Sequence, residues 1–377
     1  MRVAIVTESF LPTLNGVTTS VCRVADHLLD GGHQVLIVCP SPAPASYRGA
    51  RVHTVPGVTL RDFRVGVPFV DLGAILAAFR PDVVHAASPF ALGARGLAAA
   101  RDLSIPTVAV FQTDMATYLA QHAGPAAGAM KLATWQWLRH VHSLADVTLA
   151  PSSTCAADLE RHDIPRVAQW GRGVDTDLFR PRCPADTATH ELRRSLAPEE
   201  QTVVGYVGRL APEKEVHRLA EIADLPDVEL VVVGDGPSRP KLQRLLPRAH
   251  FLGYLQGAEL ARAYAAFDVF VHTGTCETFG QTLQEAMASG LPVVAPARGG
   301  PLDVIRAGTH GLHFDPDQPG ALREAVGGLL ADPLGRRRMG AAGREDALHR
   351  GWAPVVEQLL THYGRVTHPA YARQVAI

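Results

Sequence analysis

The chain has 377 residues, 47% of them hydrophobic and 19% charged, and a formal charge of −1. This balance suits a globular protein with room for two domains and a core in each, and it provides no basic face of the kind nucleic acid requires. No stretch approaches the ~20 apolar residues of a membrane-spanning helix, and the scattered Cys22, Cys39, Cys155, Cys183 and Cys276 lack metal-type spacing.

In chain order, Val3-Ala4-Ile5-Val6 opens a strand predicted over 3–7. A long loop, a helix over 18–30, the pair Gly31-Gly32 and a strand over 34–39 complete a β-α-β unit. Strands over 83–86 and 107–111, a helix over 127–145 and a strand over 146–150 extend this into a parallel, doubly wound half. Residues 179–200 contain Pro181, Pro184 and Pro198 and read as an irregular linker. The second half repeats the plan, with short apolar strands over 203–207, 229–233, 250–253, 269–273 and 292–295. Helices are predicted between them over 216–223, 240–246, 258–267 and 281–289, and a last helix over 353–363. Two β/α halves with a cleft between the loops at the carboxyl ends of their strands make the crevice expected for a nucleotide ligand. The strand that opens the chain leaves no leader ahead of the fold, and with an odd number of cysteines this points to reduced thiols and a cytoplasmic protein.

The segment from Glu277 to Glu285 carries the most chemistry. It places a carboxylate before a glycine turn and another inside the helix that Gln281 begins. Carboxylates accept hydrogen bonds from hydroxyls, and the free N–H groups of a first helical turn hold an anion. One stretch thus provides for both parts of a nucleotide-sugar, although Glu277 could simply complement the helix dipole and Glu285 could be an exposed helix carboxylate. Arg209 and Lys214 follow a strand and could neutralise a diphosphate with charge-assisted hydrogen bonds; otherwise they are surface cations. Lysine occurs only at Lys131, Lys214 and Lys241, so its survival at 214 suggests that a compact ammonium is needed there. Asn15-Gly16 is a strong turn pair, and Gly16 would also let the backbone approach a phosphate. Gln112 and Asp114 end a strand of the first half. His272 sits near Glu277 and reads equally as a donor contact or a packed histidine. Asp175 and Asp177 resemble a metal pair but are read as a loop in which Asp175 ties the turn. Arg336-Arg337-Arg338 reads as a solvated helix face, or as a membrane-surface contact if the acceptor is lipid-linked.

The Glu277–Glu285 stretch resembles the Glu-x7-Glu motif of retaining glycosyltransferases with the GT-B fold, and the likeness covers nearly the whole chain. It is carried also by the loop from Glu8 to Val17, by Gly171-Arg172-Gly173-Val174-Asp175, by Gly205-Tyr206-Val207-Gly208-Arg209, by Gly234-Asp235-Gly236-Pro237 and by Glu285-Ala286-Met287-Ala288-Ser289-Gly290. It is strongest to GDP-mannose-dependent α-mannosyltransferases. The resemblance implies two Rossmann-like domains facing a central cleft. Residues 1–180 would bind acceptor, with 353–377 packing back on them, and 181–352 would bind the nucleotide-sugar donor.

By the same resemblance, Glu277, Arg209, Lys214 and Asp114 are the catalytic candidates. Gly16, Gly208, Arg209, Lys214 and Thr282 would meet the donor phosphates. Glu277, His272 and the backbone of Phe279, Gly280 and Gln281 would meet the sugar, Glu285 the ribose, and Leu252 with Gly253 and Tyr254 the base. Asn15, Gln112 and Asp114 would lie on the acceptor side; many relatives carry histidine where this chain has Gln112, which cannot titrate. The expected reaction moves a hexose, foremost mannose from GDP-mannose, to an acceptor hydroxyl with an α-linkage. The proton passes to a donor phosphate oxygen, with no metal and no cofactor beyond the co-substrate. A UDP-sugar-dependent transferase of secondary metabolism, or a nucleotide-sugar epimerase on this fold, is the alternative. The acceptor could be lipid-linked, a glycan or a small molecule, with at most peripheral contact at the inner membrane face. A phosphorylase would want a pyridoxal lysine late in the chain, beyond the last lysine at Lys241. A nicotinamide enzyme would want Gly-x-Gly-x-x-Gly where this chain has Thr7-Glu8-Ser9-Phe10-Leu11-Pro12. A non-catalytic sensor of nucleotide-sugars would be told apart by turnover of a labelled donor.

Overall fold

The computed structural model describes residues 1–60, 63–66, 70–121 and 123–368. The chain begins β1 (Arg2–Val6), α1 (Gly16–Asp30), β2 (Gln34–Pro40), β3 (Ser46–Tyr47), β4 (Ala50–Val55), β5 (Gly57–Leu60), β6 (Phe63–Gly66), α2 (Leu72–Phe79), β7 (Val83–Ala86) and α3 (Leu92–Asp102). Next come β8 (Thr107–Val110), α4 (Met115–Gln121), α5 (Ala127–Ser143), β9 (Val147–Ala150), α6 (Ser153–Arg161), β10 (Val167–Gln169) and α7 (Thr187–Leu196). After these follow β11 (Thr202–Val207), β12 (Val228–Val233), α8 (Arg239–Leu245), β13 (His250–Gly253), α9 (Gly257–Ala266) and β14 (Val269–Val271). The last elements are α10 (Gln281–Ala288), β15 (Val293–Pro296), α11 (Pro301–Val304), β16 (Gly311–Phe314), α12 (Ala321–Ala331), α13 (Pro333–Leu348) and α14 (Trp352–Thr367). They form two compact units, Met1–Arg172 with Trp352–Ile377, and Gly173–Gly351.

The first unit carries a sheet in the order β10-β9-β8-β7-β1-β2-β4-β3, parallel except where β3 meets β4. Its strands are apolar runs, such as Val-Leu-Ile-Val-Cys in β2, because helices cover both faces of a parallel sheet. Strand order reverses between β1 and β7, which makes a topological switch point. Asn15 starts α1 by accepting the Thr18 N–H at 3.0 Å. The last helix, α14, belongs to this unit. Trp352, Val356, Leu359, Tyr363 and Val366 recur at helical spacing and are buried in one cluster with Val3, Ile5 and Val108. The Tyr363 hydroxyl lies 2.7 Å from Nδ1 of buried His85, and burial pushes that imidazole down to about 3, so it is neutral. Of the segment expected to pack back here, residues 369–377 lie outside the described residues.

The second unit has an all-parallel sheet in the order β13-β12-β11-β14-β15-β16, with its switch point between β11 and β14. Residues 173–180, assigned on sequence to the first domain, are part of this unit. The Val174 N–H donates to the Arg350 carbonyl at 2.9 Å, and Phe179 packs edge-on against Tyr264 in the core. The expected irregular linker contains α7. Its cap is the Asp186 carboxylate, which accepts the Thr189 N–H at 3.1 Å, and Leu196 is buried. Pro181, Pro184 and Pro198 flank this helix without entering it, so they do not break it. The helix predicted over 216–223 is a 3₁₀ segment, Val216–Glu221. Among the described residues no helix is long and apolar enough to cross a membrane.

Candidate active site

The polar groups of the second unit gather at its switch point, where the loops leaving β11 and β14 diverge. Beyond β11 the chain bends at Gly208 and runs on beside the loop that follows β12. Gly208 N donates to Val233 O at 3.0 Å and Leu210 N to Asp235 O at 2.9 Å. The Gly234-Asp235-Gly236 loop runs against this stretch so closely that a Cβ on Gly234, whose φ is +132°, would lie 1.9 Å from the Gly208 carbonyl oxygen. Only glycine allows that approach. A short turn, Pro212–Lys214, then delivers the ammonium of Lys214 to Glu277, Nζ to Oε2 at 2.8 Å. Arg209 forms an ion pair with Glu213.

The loop after β14 supplies the opposing charges. His272 is 2% exposed and neither ring nitrogen has a hydrogen-bond partner. Its Nε2 lies 3.8 Å from Glu277 Oε2, too far for a hydrogen bond. Burial holds His272 down at about 4, so it is a neutral imidazole. Burial alone would raise the Glu277 carboxyl, but Lys214, His272 and the Phe279 N–H outweigh it and hold it at about 2. Burial likewise opposes the charge on Lys214, and Glu277 more than offsets it, so the ammonium pKa is raised. The pair is therefore fully charged at neutral pH.

Gly280, at φ +104°, turns the chain into α10, and no side chain caps that end. A side chain at 280 would be strained, and its Cβ would meet Leu283 at 2.7 Å. The Leu283 N–H bonds the Gly280 carbonyl at 3.0 Å, which leaves the N–H groups of Gln281 and Thr282 as those with no partner inside the helix. Further along α10, Glu285 accepts a hydrogen bond from the buried Tyr264 hydroxyl at 3.0 Å. Burial pushes Glu285 up to about 7, against the hydrogen bonds from Tyr264 and Gln281. The two carboxylates of one motif are therefore tuned in opposite directions. At the end of β13, Leu252 is half-buried against the core and Tyr254 is 57% exposed. Thr282 lends its carbonyl to Tyr264 at 3.3 Å, and the buried Phe279 anchors the turn.

The predicted residues of the first unit lie at the carboxyl ends of its strands and serve that unit. Gly16 opens α1 and its carbonyl accepts Arg172 at 3.0 Å. Asn15 spends its amide on the cap and on Ser9. The Gln112 amide bridges the Ala87 carbonyl and Arg172. Asp114 accepts the Thr117 N–H at 2.9 Å, at the start of α4. Asp175, in the second unit, ties its turn by accepting Leu178 N–H at 3.0 Å. Among the described residues no group of three or more His, Cys, Asp or Glu could hold a metal ion.

Sequence reading missed Glu213 and Tyr264. Glu213 was visible as a carboxylate four residues after Arg209 within the same motif. Tyr264 gave no local sign, because it reads as one more apolar residue of α9.

Comparison with known proteins settles the family. The model of group 1 glycosyl transferases matches residues 188–346, and that of glycosyltransferase family 4 matches residues 14–178. The chain is 50% identical over 376 residues to a GDP-mannose-dependent alpha-mannosyltransferase of Mycolicibacterium smegmatis, covering 97% of this chain and 98% of that one. The chain belongs to the group 1 glycosyltransferases. A second relative of this glycosyltransferase, the GDP-mannose-dependent alpha-mannosyltransferase of Mycobacterium tuberculosis, is 45% identical with 97% of each chain covered. Among solved structures, Anabaena Alr3699/HepE in complex with UDP superposes with a TM-score of 0.78 at 20% identity, over 97% of this chain and 100% of that one. At that identity the likeness concerns the fold alone, and with the two doubly wound sheets it identifies the fold class as GT-B.

Proposed function

We infer that this glycosyltransferase moves mannose from GDP-mannose to an acceptor hydroxyl and forms an α-linkage. The reading rests on identity over almost the whole chain with the two α-mannosyltransferases named above. The charged groups at the β11/β14 switch point suit that chemistry. Lys214, Arg209 and the first turn of α10 take the donor diphosphate, Glu277 takes hydroxyls of the sugar, and Glu285 takes the ribose diol. As the bond from the anomeric carbon to the phosphate oxygen breaks, negative charge grows on the diphosphate, and the two cations and the helix N–H groups stabilise it. The acceptor hydroxyl attacks from the face the diphosphate leaves and gives its proton to a phosphate oxygen, so the anomeric configuration is retained. The scheme asks no metal of the protein. Asn15, Gln112 and Asp114 remain the acceptor-side candidates.

The test is transfer from isotope-labelled GDP-mannose, with and without excess chelator, together with titration of GDP and UDP. Transfer should persist in chelator, and the product should be the α-anomer by NMR. GDP should bind at least about tenfold more tightly than UDP, a difference of ~1.4 kcal/mol. Equal or reversed affinities would remove the GDP-mannose assignment; absence of sugar transfer from any donor would remove the enzyme.

A further inference from the structure

Glu215 follows Lys214 and has its backbone in the left-handed region, at φ 47° and ψ 35°. That conformation disfavours a residue with a Cβ and suits glycine. A carboxylate kept in a glycine conformation directs attention to what the carboxylate does. Glu215 Oε1 accepts the hydroxyl of Thr275, and Oε2 accepts Arg218 Nε at 2.7 Å. Arg218 is itself anchored, Nη1 to the Pro316 carbonyl at 2.9 Å. Beside this tie, the Thr273 hydroxyl donates to the Lys214 carbonyl at 2.7 Å, and the Lys214 ammonium reaches Glu277 at 2.8 Å. The loop carrying Lys214 and the loop carrying Glu277 are thus joined at successive residues, with Glu215 supplying the side chain that faces Thr275.

We propose that Glu215 is a positioning residue that locks the Lys214 loop to the Glu277 loop, so that the diphosphate-binding ammonium and the sugar-binding carboxylate are presented at a set separation. This rests on the donor roles given to Lys214 and Glu277 above. Glu215 acts through Lys214 and touches no substrate. The backbone turn itself does not need the side chain, since glycine would hold that conformation with less strain.

The experiment is Glu215→Gly, which keeps the turn and removes the tie, measured alone and in a Lys214→Ala background. The melting temperature should stay close to that of the unaltered protein. Misplacing a transition-state contact costs catalysis far more than stability, so kcat/KM for GDP-mannose should fall about tenfold or more, mainly through kcat. In the Lys214→Ala background the same substitution should cost nothing further, because residues that act through one another are non-additive. Unchanged kcat/KM in the single variant, or a full multiplicative loss on top of Lys214→Ala, would overturn the proposal. If Glu215→Gly fails to melt cooperatively, Thr275→Val cuts the same tie from the other loop and must show the same dependence on Lys214. Failure of the unaltered protein to use GDP-mannose would instead overturn the functional reading, and this proposal with it.

Discussion

The first unit reverses its strand order between β1 and β7, and the second between β11 and β14. Both crevices hold partly buried charged groups, compensated in different ways. In the first, Glu8 follows β1 and its carboxylate accepts backbone N–H groups from Gly66 at 3.1 Å, from Ala91 at 2.8 Å and from Leu92. Burial still pushes its pKa up against them. Gln112 is likewise committed to a carbonyl and to Arg172. In the second crevice the main partners are side chains, Lys214 with Glu277 and Arg209 with Glu213, with the Phe279 N–H as a backbone addition at Glu277, and neither ring nitrogen of His272 has a hydrogen-bond partner. A main-chain N–H cannot leave this half-buried carboxylate without disturbing the strand end at Gly66 or the start of α3. A side-chain ion pair can open, giving its cation to an anionic ligand group and its carboxylate to ligand hydroxyls. One topology thus makes a structural crevice in one unit and a chemically available one in the other.

The largest effect should come from the available crevice. Lys214→Ala or Arg209→Ala should lower turnover roughly 10²–10³-fold, as loss of a transition-state charge stabiliser does. Arg209→Ala should leave the melting temperature little changed, whereas Lys214→Ala should also lower it, because Glu277 keeps its burial and loses its cation. Near-normal initial rates for both variants would erase the distinction between the crevices.

Next in size is the structural crevice. Glu8→Ala leaves buried N–H groups of the α3 start unpaired, and should cost about 1–3 kcal/mol of unfolding free energy in a denaturant titration. A variant as stable as the parent would show that water satisfies those groups and that Glu8 is exchangeable after all.

The smallest effect concerns pH and separates the two carboxylates of one motif. Glu285 is raised from 4.5 to about 7 by burial, so its protonated form favours the folded state. That stability is fully present below pH 4.5 and is lost as pH rises through about 7. Glu277 is depressed from 4.5 to about 2; its stabilising share is present above 4.5 and lost as pH falls through about 2. Without ligand, Glu285→Gln should therefore gain stability relative to the parent as pH rises from about 5 to about 8. A gap that stays constant over that range would place the Glu285 carboxyl at an ordinary value.

Much of this site is legible in the sequence. Arg209, Lys214, Glu277 and Glu285 stand out because they sit in motifs that resemble the family's, the first three in the loops that leave β11 and β14 and Glu285 inside α10. The break between the units was not legible. Pro181 and Pro184 punctuate the sequence more loudly than Arg172-Gly173, yet the Val174 pairing with Arg350 places the change earlier. Helix α7 was hidden for the same reason, since its flanking prolines read as loop.

By itself the sequence determined the α/β class, the repeated strand-and-helix plan and the types of charge near the second switch point. Those follow from local patterning, because a parallel strand buried on both faces is a continuous apolar run wherever it occurs. Only the tertiary structure decided that Lys214 meets Glu277 across 63 residues, that residues 173–180 join the second unit, and that Glu277 is held ionised while Glu285 is pushed up to about 7. A carboxylate's charge depends on its burial and on the cation or hydroxyl beside it, and the fold brings those neighbours from distant parts of the chain.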